Sequence, residues 1–398
     1  MKARWVPNIQ KVILFMVVLV ILLQVYHIYL MGQLEEFKDT KNYSNSVWDD
    51  IMQKVRDAYK TDSSGFYFLV PNILGGSQQH SSDSFDLALV THTTSNHLHN
   101  LVQLSERWAG PISVSVFTHS HDAEFALQLI QNLYMCYRHI QLNVFFHLVF
   151  PVSSHAKITK IPYHDVDCSE EYSVKSTSQN FVLEDKLKYP HNVLRNLAIK
   201  TVAAKFVLSI DIDIYPSANL LHSFQRDVLP SSTVDYRTAY ILPIFEIDEN
   251  QDIPSTKQKL LQNKNIHPFY ANVCHWCQFA TDYHRWESLG SNEKLEVAYE
   301  VQWKLPYEPF FIAHKSSLPL YEERFKQYGY NRVSQICEMY VAGYKFFVLN
   351  NAFLVHKGQK KKDKFYSDKK KDHKENKALF QDFKEELKSR YPDSARTC

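Results

Sequence analysis

Two aspartates one residue apart, Asp211 and Asp213, close the apolar stretch Lys205-Phe-Val-Leu-Ser-Ile-Asp-Ile-Asp-Ile-Tyr-Pro216. On a strand, residues i and i+2 point to the same face, so the spacing predicts two carboxylates aimed at one hard divalent cation. Phe206, Val207, Leu208 and Ile210 read as a central strand covered on both faces, and Pro216 marks where its ladder stops. Both carboxylates are therefore expected at the carboxyl end of that strand. Open α/β sheets bind ligands there, and a cation in that place would neutralise a phosphate-bearing substrate. Asp-x-Asp alone is a short pattern that often marks only a strand-to-turn exit, so its surroundings must carry the argument.

The elements around it alternate. Residues 87–90, 112–117 and 140–146 read as strands, with helices over 98–108 and 123–137 between them. This order predicts an α/β fold whose mostly parallel sheet is covered on both faces. A polar excursion covers 152–185. After Pro190 a helix over 191–200 places Val193, Leu197 and Thr201 on one side and leaves Arg195 and Asn196 polar. A solvated face or a structural ion pair is the simplest account of those two. Further strands are expected over 239–245, over 307–313 behind Glu308, over 346–349 and over 353–356. Between the last three, the stretch from Arg324 runs into a helix through Tyr340. The lysine-rich run over 357–374 reads as solvated surface whose start could reach a phosphate.

With 398 residues, 45% hydrophobic and 14% aromatic, the chain can bury a large core in one large domain or two fused ones. A net charge of +2, with no zinc-finger spacing, aromatic RNP pattern or basic zipper, gives no case for a nucleic-acid partner. Lys2, Arg4 and Lys11 precede an apolar run over 12–31, and Glu35, Glu36 and Asp39 follow it. That length suffices to span a bilayer, and the flanking charge predicts a type II signal-anchor. The expected layout is a cytoplasmic tail over 1–11, a span over 12–31, a lumenal stem over 32–82 and a folded domain over 83–398. The six cysteines form an even set suited to a disulfide-permitting compartment, and their pairing is open. Cys274-His-Trp-Cys277 has no second pair at zinc-site spacing, so it reads as disulfide-bonded. Asn42-Tyr-Ser44 is a glycosylation acceptor motif.

From about residue 83 onward, several long segments in one order resemble the glycosyltransferase family that includes the beta-1,4-glucuronyltransferases and the carboxyl-terminal half of the LARGE enzymes. The carrying segments are Asn192-Val-Leu-Arg-Asn-Leu-Ala198, Asp211-Ile-Asp-Ile-Tyr-Pro-Ser217, Tyr307-Glu-Pro-Phe-Phe311 and Glu323-Arg-Phe-Lys-Gln-Tyr-Gly-Tyr-Asn-Arg332. Phe353-Leu-Val-His-Lys-Gly358 and the ending Tyr391-Pro-Asp-Ser-Ala-Arg-Thr-Cys398 complete them.

The resemblance implies a GT-A fold, a Golgi membrane location, Mn²⁺, inversion at the anomeric carbon and UDP-glucuronic acid as donor to a xylose-terminated glycan. By the same resemblance, Asp211, Asp213 and His356 would hold the metal, a mixed carboxylate and imidazole set that suits Mn²⁺. Lys357 would help the departing diphosphate. Asn192, Arg195 and Asn196 would contact the donor, and Arg332, with Lys326 behind it, would meet the sugar carboxylate. Glu308 is the expected general base, with Glu246 and Glu338 as competitors. Another UDP-sugar donor, a catalytically dead glycan-binding protein and a homodimer formed through the stem or anchor stay open.

Overall fold

The structure, a computed structural model, describes residues 6–76, 85–168, 188–231, 235–360 and 369–398. Lys2 and Arg4, much of the polar excursion and half of the lysine-rich run lie outside these residues. The strands are β1 (Tyr67–Leu74), β2 (Phe85–Thr94), β3 (Ile112–Phe117), β4 (Val144–Pro151), β5 (Ala204–Ser209), β6 (Ile214–Pro216) and β7 (Thr238–Leu242). They continue as β8 (Ile244–Ile247), β9 (His267–Pro268), β10 (Glu296–Val301), β11 (Phe310–His314), β12 (Lys345–Asn350) and β13 (Leu354–Lys357). A nine-stranded sheet runs in the order β1-β4-β3-β2-β5-β11-β7-β12-β10, and a four-stranded sheet runs β6-β13-β8-β9.

The large sheet is mixed rather than mostly parallel. Strands β4, β3, β2 and β5 are parallel neighbours. Strand β11 then runs antiparallel between β5 and β7, and β1 and β10 close the edges antiparallel. Alternate side chains of β2 enter different clusters, Leu87 and Leu89 on one face and Ala88 and Val90 on the other. Both faces are thus dry, which is why these strands read as continuous apolar runs. One expected strand is displaced: residues 138–143 are helical and β4 begins at Val144.

Six helices frame the site and its approach from the amino terminus: α1 (Val6–Arg56), α2 (Asn100–Trp108), α3 (Ala123–Cys136), α4 (His191–Thr201), α5 (Val333–Val341) and α6 (Lys370–Arg390). Helix α1 is apolar and exposed over 12–31, long and apolar enough to cross a membrane. It then continues without a break, and Val47, Trp48, Ile51, Met52 and Val55 are buried in the core. Strand β1 pairs with β4. Residues 47–74, read from sequence as stem, therefore belong to the folded domain. Helix α6, which periodicity alone does not separate from the lysine run, buries Phe380, Phe383 and Leu387 at helical spacing. Each such side chain stabilises by about 1.5–3 kcal/mol.

Three times the chain steps from the large sheet into the small one. It does so between β5 and β6, between β7 and β8 at Pro243, and between β12 and β13, where Asn351 adopts φ +65°. The proline removes a ladder donor and the left-handed asparagine turns the chain, so these two steps have a local cause. The cysteines pair as Cys136–Cys168, Cys274–Cys277 and Cys337–Cys398.

Candidate active site

The junction of the two sheets gathers the acidic and basic side chains. Asp211 and Asp213 lie on the turn between β5 and β6, closed by the Ile214 amide donating to the Asp211 carbonyl at 3.0 Å. They do not sit on one strand, and they have different neighbours, which corrects the shared-face geometry expected from their spacing.

Asp211 is held by arginines. Arg332 Nη2 donates to both of its carboxylate oxygens at 3.1 Å, and Arg195 Nη2 to Oδ1 at 3.2 Å. His92, at the carboxyl end of β2, brings Nε2 to 3.5 Å of the same oxygen. The arginine side chains are 8% and 4% exposed, whereas Asp211 keeps 33% and Asp213 40%. The cations form the floor and the carboxylates face outward. Burial works to raise the Asp211 carboxyl, but Arg332, His92 and Arg195 together hold it well below the usual carboxylate range. Behind this cluster the rings of His92, Tyr189 and His191 pack together, and His92 Nδ1 lies 3.0 Å from the Tyr189 hydroxyl. Burial lowers both histidines, so they stay neutral at pH 7.

Asn192 and Asn196 fasten α4 instead of facing the site. Asn192 donates to the carbonyls of Glu322 and Asn331 and accepts from Arg195 Nη1. Asn196 donates to the Tyr321 carbonyl and accepts from the Tyr321 amide. Both are fully buried. The two amides rivet α4 to the segment that presents Arg332. Lys326 is not behind Arg332: it lies 3.0 Å from Ser64 Oγ, beside Asp62 and over the Tyr67 ring.

Asp213 meets a different set. His356 on β13 places Nε2 at 3.0 Å from Asp213 Oδ2, and Lys360 Nζ lies 3.8 Å from the same oxygen. His356 Nδ1 donates to the Gly358 carbonyl at 2.7 Å, a turn made where Gly358 adopts φ +84°. That bond fixes the tautomer and aims Nε2 at the carboxylate, the arrangement typical of a metal-ligating histidine. Burial works to raise the Asp213 carboxyl, and His356 and Lys360 overcome it and hold it far below the usual range. Asp213 and His356 thus fit two positions of a divalent cation, while Asp211 is committed to arginines. Among the described residues no group of three or more His, Cys, Asp or Glu side chains stands as a ready cage. Lys357, half-buried, ends β13 one residue after His356.

The three carboxylates considered for proton transfer separate clearly. Glu338 accepts from Arg390 and the Tyr391 hydroxyl, tying α5 to the chain's end. Glu246 on β8 accepts backbone amides from Tyr270 and Lys360. Glu308, two residues before β11, takes no side-chain hydrogen bond or ion pair from the described residues. Burial pushes its carboxyl up to about 7, against the pull of Arg332 and Arg195.

His92, Tyr189, His191 and Lys360 do not stand out in the sequence. Only His92, at a strand's carboxyl end, leaves a positional signal.

Comparison with known proteins supplies the class. The chain matches the model of the family described as "Glycosyl-transferase for dystroglycan" over residues 86–392. Beta-1,4-glucuronyltransferase 1 of Danio rerio is 36% identical over 428 aligned positions, covering 98% of each chain. The xylosyl- and glucuronyltransferase LARGE1 of Homo sapiens is 25% identical over 281 positions, 69% of this chain and 32% of that one. Among solved structures, GalNAc-T7 with UDP, GalNAc and Mn²⁺ superposes with a TM-score of 0.38 at 11% identity, covering 72% of this chain and 47% of that chain. That spatial likeness is too loose to carry weight. A mixed α/β domain with this site and these sequence relatives is a glycosyltransferase. The chain belongs to the family described as glycosyl-transferase for dystroglycan.

Proposed function

We propose that this glycosyltransferase moves glucuronic acid from UDP-glucuronic acid to a terminal xylose of an O-mannosyl glycan of the dystroglycan type, with inversion, on a GT-A fold. Its α1 helix would anchor it in the Golgi membrane as a single-pass type II protein. The likeness to beta-1,4-glucuronyltransferase 1 of Danio rerio, over 98% of each chain, supports the donor.

The observation that carries the reading is Glu308: a carboxyl that burial pushes up to about 7, without a side-chain partner among the described residues. A carboxylate of that kind can take the proton of an acceptor hydroxyl at neutral pH. The hydroxyl oxygen then bonds to the anomeric carbon while the bond to the diphosphate breaks, and the leaving UDP takes the electron pair. Lys357 and Lys360 receive the charge that develops on it. Asp213 and His356 would hold Mn²⁺, which supplies Lewis-acid charge at the same diphosphate. Arg332 meets the donor's carboxylate through guanidinium nitrogens that Asp211 does not use. Asn192 serves the donor by fixing Arg195, and Asn196 by fastening α4, neither by touching it.

The test is UDP release by the full-length chain in detergent, given Mn²⁺, methyl β-xyloside and several UDP-sugars in turn. Acceptor-dependent turnover with UDP-glucuronic acid, lost in E308Q, is expected. Turnover with UDP-xylose or a neutral UDP-hexose alone would overturn the donor. Retained xyloside binding with no turnover from any donor would make the chain a glycan-binding protein.

A further inference from the structure

A loop crosses the site from one side to the other, and neither proton transfer to Glu308 nor donor binding uses it. It starts where β9 pairs with β8, with Glu246 opposite His267. Phe269 then packs 5.5 Å from the His356 ring, and the Tyr270 amide donates to Glu246. At its far end the Glu308 amide donates to the Cys277 carbonyl at 2.8 Å, and Gln278 Nε2 donates to the Glu308 carbonyl at 2.7 Å. The loop therefore runs from the Asp213 and His356 side to the backbone of the expected base.

At and just beyond its far anchor it carries two large aromatic rings that the described residues leave exposed. Trp276 is 58% exposed and Phe279 68%, with ring centroids 5.7 Å apart, and His275 lies 4.1 Å from Trp276. The Cys274–Cys277 disulfide staples the turn that holds Trp276, and the Cys277 amide closes it onto the Cys274 carbonyl at 2.9 Å. The staple constrains the backbone that presents Trp276, and Phe279 follows two residues after Cys277. Large apolar rings held in solvent mark a binding surface. An aromatic face offers its negative quadrupole to polarised C–H groups, and one face of a pyranose ring presents a row of these.

We infer that Trp276, with Phe279 beside it, is the platform on which the acceptor saccharide stacks, positioning its hydroxyl for Glu308. The occupant is a neutral sugar ring rather than the donor, because the loop's aromatic end joins Glu308 while its other end joins the Asp213 and His356 side. The inference deepens the proposed function and rests on Glu308 being the base.

Two measurements on the full-length chain in detergent separate the inference from that reading. In steady-state kinetics with UDP-glucuronic acid and methyl β-xyloside, W276A should raise the xyloside KM about tenfold or more. The donor KM should stay within about twofold. W276F should recover most of the loss, and F279A should raise the KM by about threefold. An unchanged xyloside KM in W276A would overturn the platform while leaving the transferase reading intact. Saturation-transfer NMR of methyl β-xyloside, with UDP and Mn²⁺ present, needs no turnover. Saturation of the ring protons in wild type, lost in W276A at an unchanged melting temperature, supports the platform even if the donor is another sugar. Equal saturation in W276A, or none in wild type, overturns it.

Discussion

Asp211 and Asp213 are two residues apart and share a turn, yet they belong to different halves of the site. Asp211 faces two buried guanidinium groups and a neutral histidine from the large sheet's side. Asp213 faces an imidazole and an ammonium group contributed by β13 and the residues after it, on the small sheet's side. Removing the first carboxylate strands two buried cations, whereas removing the second leaves a buried imidazole, which need carry no charge, and a Lys360 ammonium that keeps 32% exposure. In the proposed reaction one aspartate would therefore support the domain as well as the chemistry, and the other the chemistry alone. Adjacent members of a short motif can answer to different selection by physics, because what each costs to lose depends on its neighbours' burial.

That contrast can be broken by mutation. D213N should lower turnover about 1,000-fold or more, with a melting temperature within about 2 °C of wild type, since the imidazole it faces need carry no charge and Lys360 keeps 32% exposure. EDTA should abolish turnover to a similar degree, and Mn²⁺ should restore it in wild type but not in D213N. E308Q should cost about 100-fold or more in kcat. In the wild type, kcat/KM should rise with pH through about 7, because the Glu308 carboxyl, pushed up to about 7, accepts a proton only once ionised. A profile flat between about pH 5.5 and 8 would remove Glu308 from the reaction. D211N should lose activity and also about 2–3 kcal/mol of stability, read by denaturant titration, the figure for a broken buried pair reduced for its partial exposure. Equal stability losses in D211N and D213N would erase the distinction. K360A should have the smallest effect, a rise in donor KM of about three- to tenfold with no change in melting temperature.

The sequence made the apolar strands and α4 legible because their periodicity reports burial directly. It misplaced the two aspartates for the same reason. Ile210, Ile212 and Ile214 are all buried, so the alternation runs on through the turn that transfers the chain between sheets. A period-2 reading cannot see a strand change sheets when both sheets bury the same side. The stem boundary failed differently: charged residues between 32 and 62 masked the Val47, Trp48, Ile51, Met52 and Val55 face, whose spacing is helical. The Asp211 cluster draws on β2, α4, the turn after β5 and the start of α5, and contacts of that range have no local signature. Family resemblance supplied His356, which periodicity alone would have left in the core.

Helix α1 carries a mechanical consequence. With residues 12–31 in a bilayer, roughly 13 residues of unbroken helix separate the last apolar turn from Ser44, where the chain enters the domain, a stand-off of about 20 Å. The domain is then mounted on a stiff mast and not tethered by a string. A single residue inserted in that stretch would swing the active face by about 100° around the mast and lift it by about 1.5 Å. Access to glycans displayed on membrane-bound partners would follow the phase of the helix as well as its length.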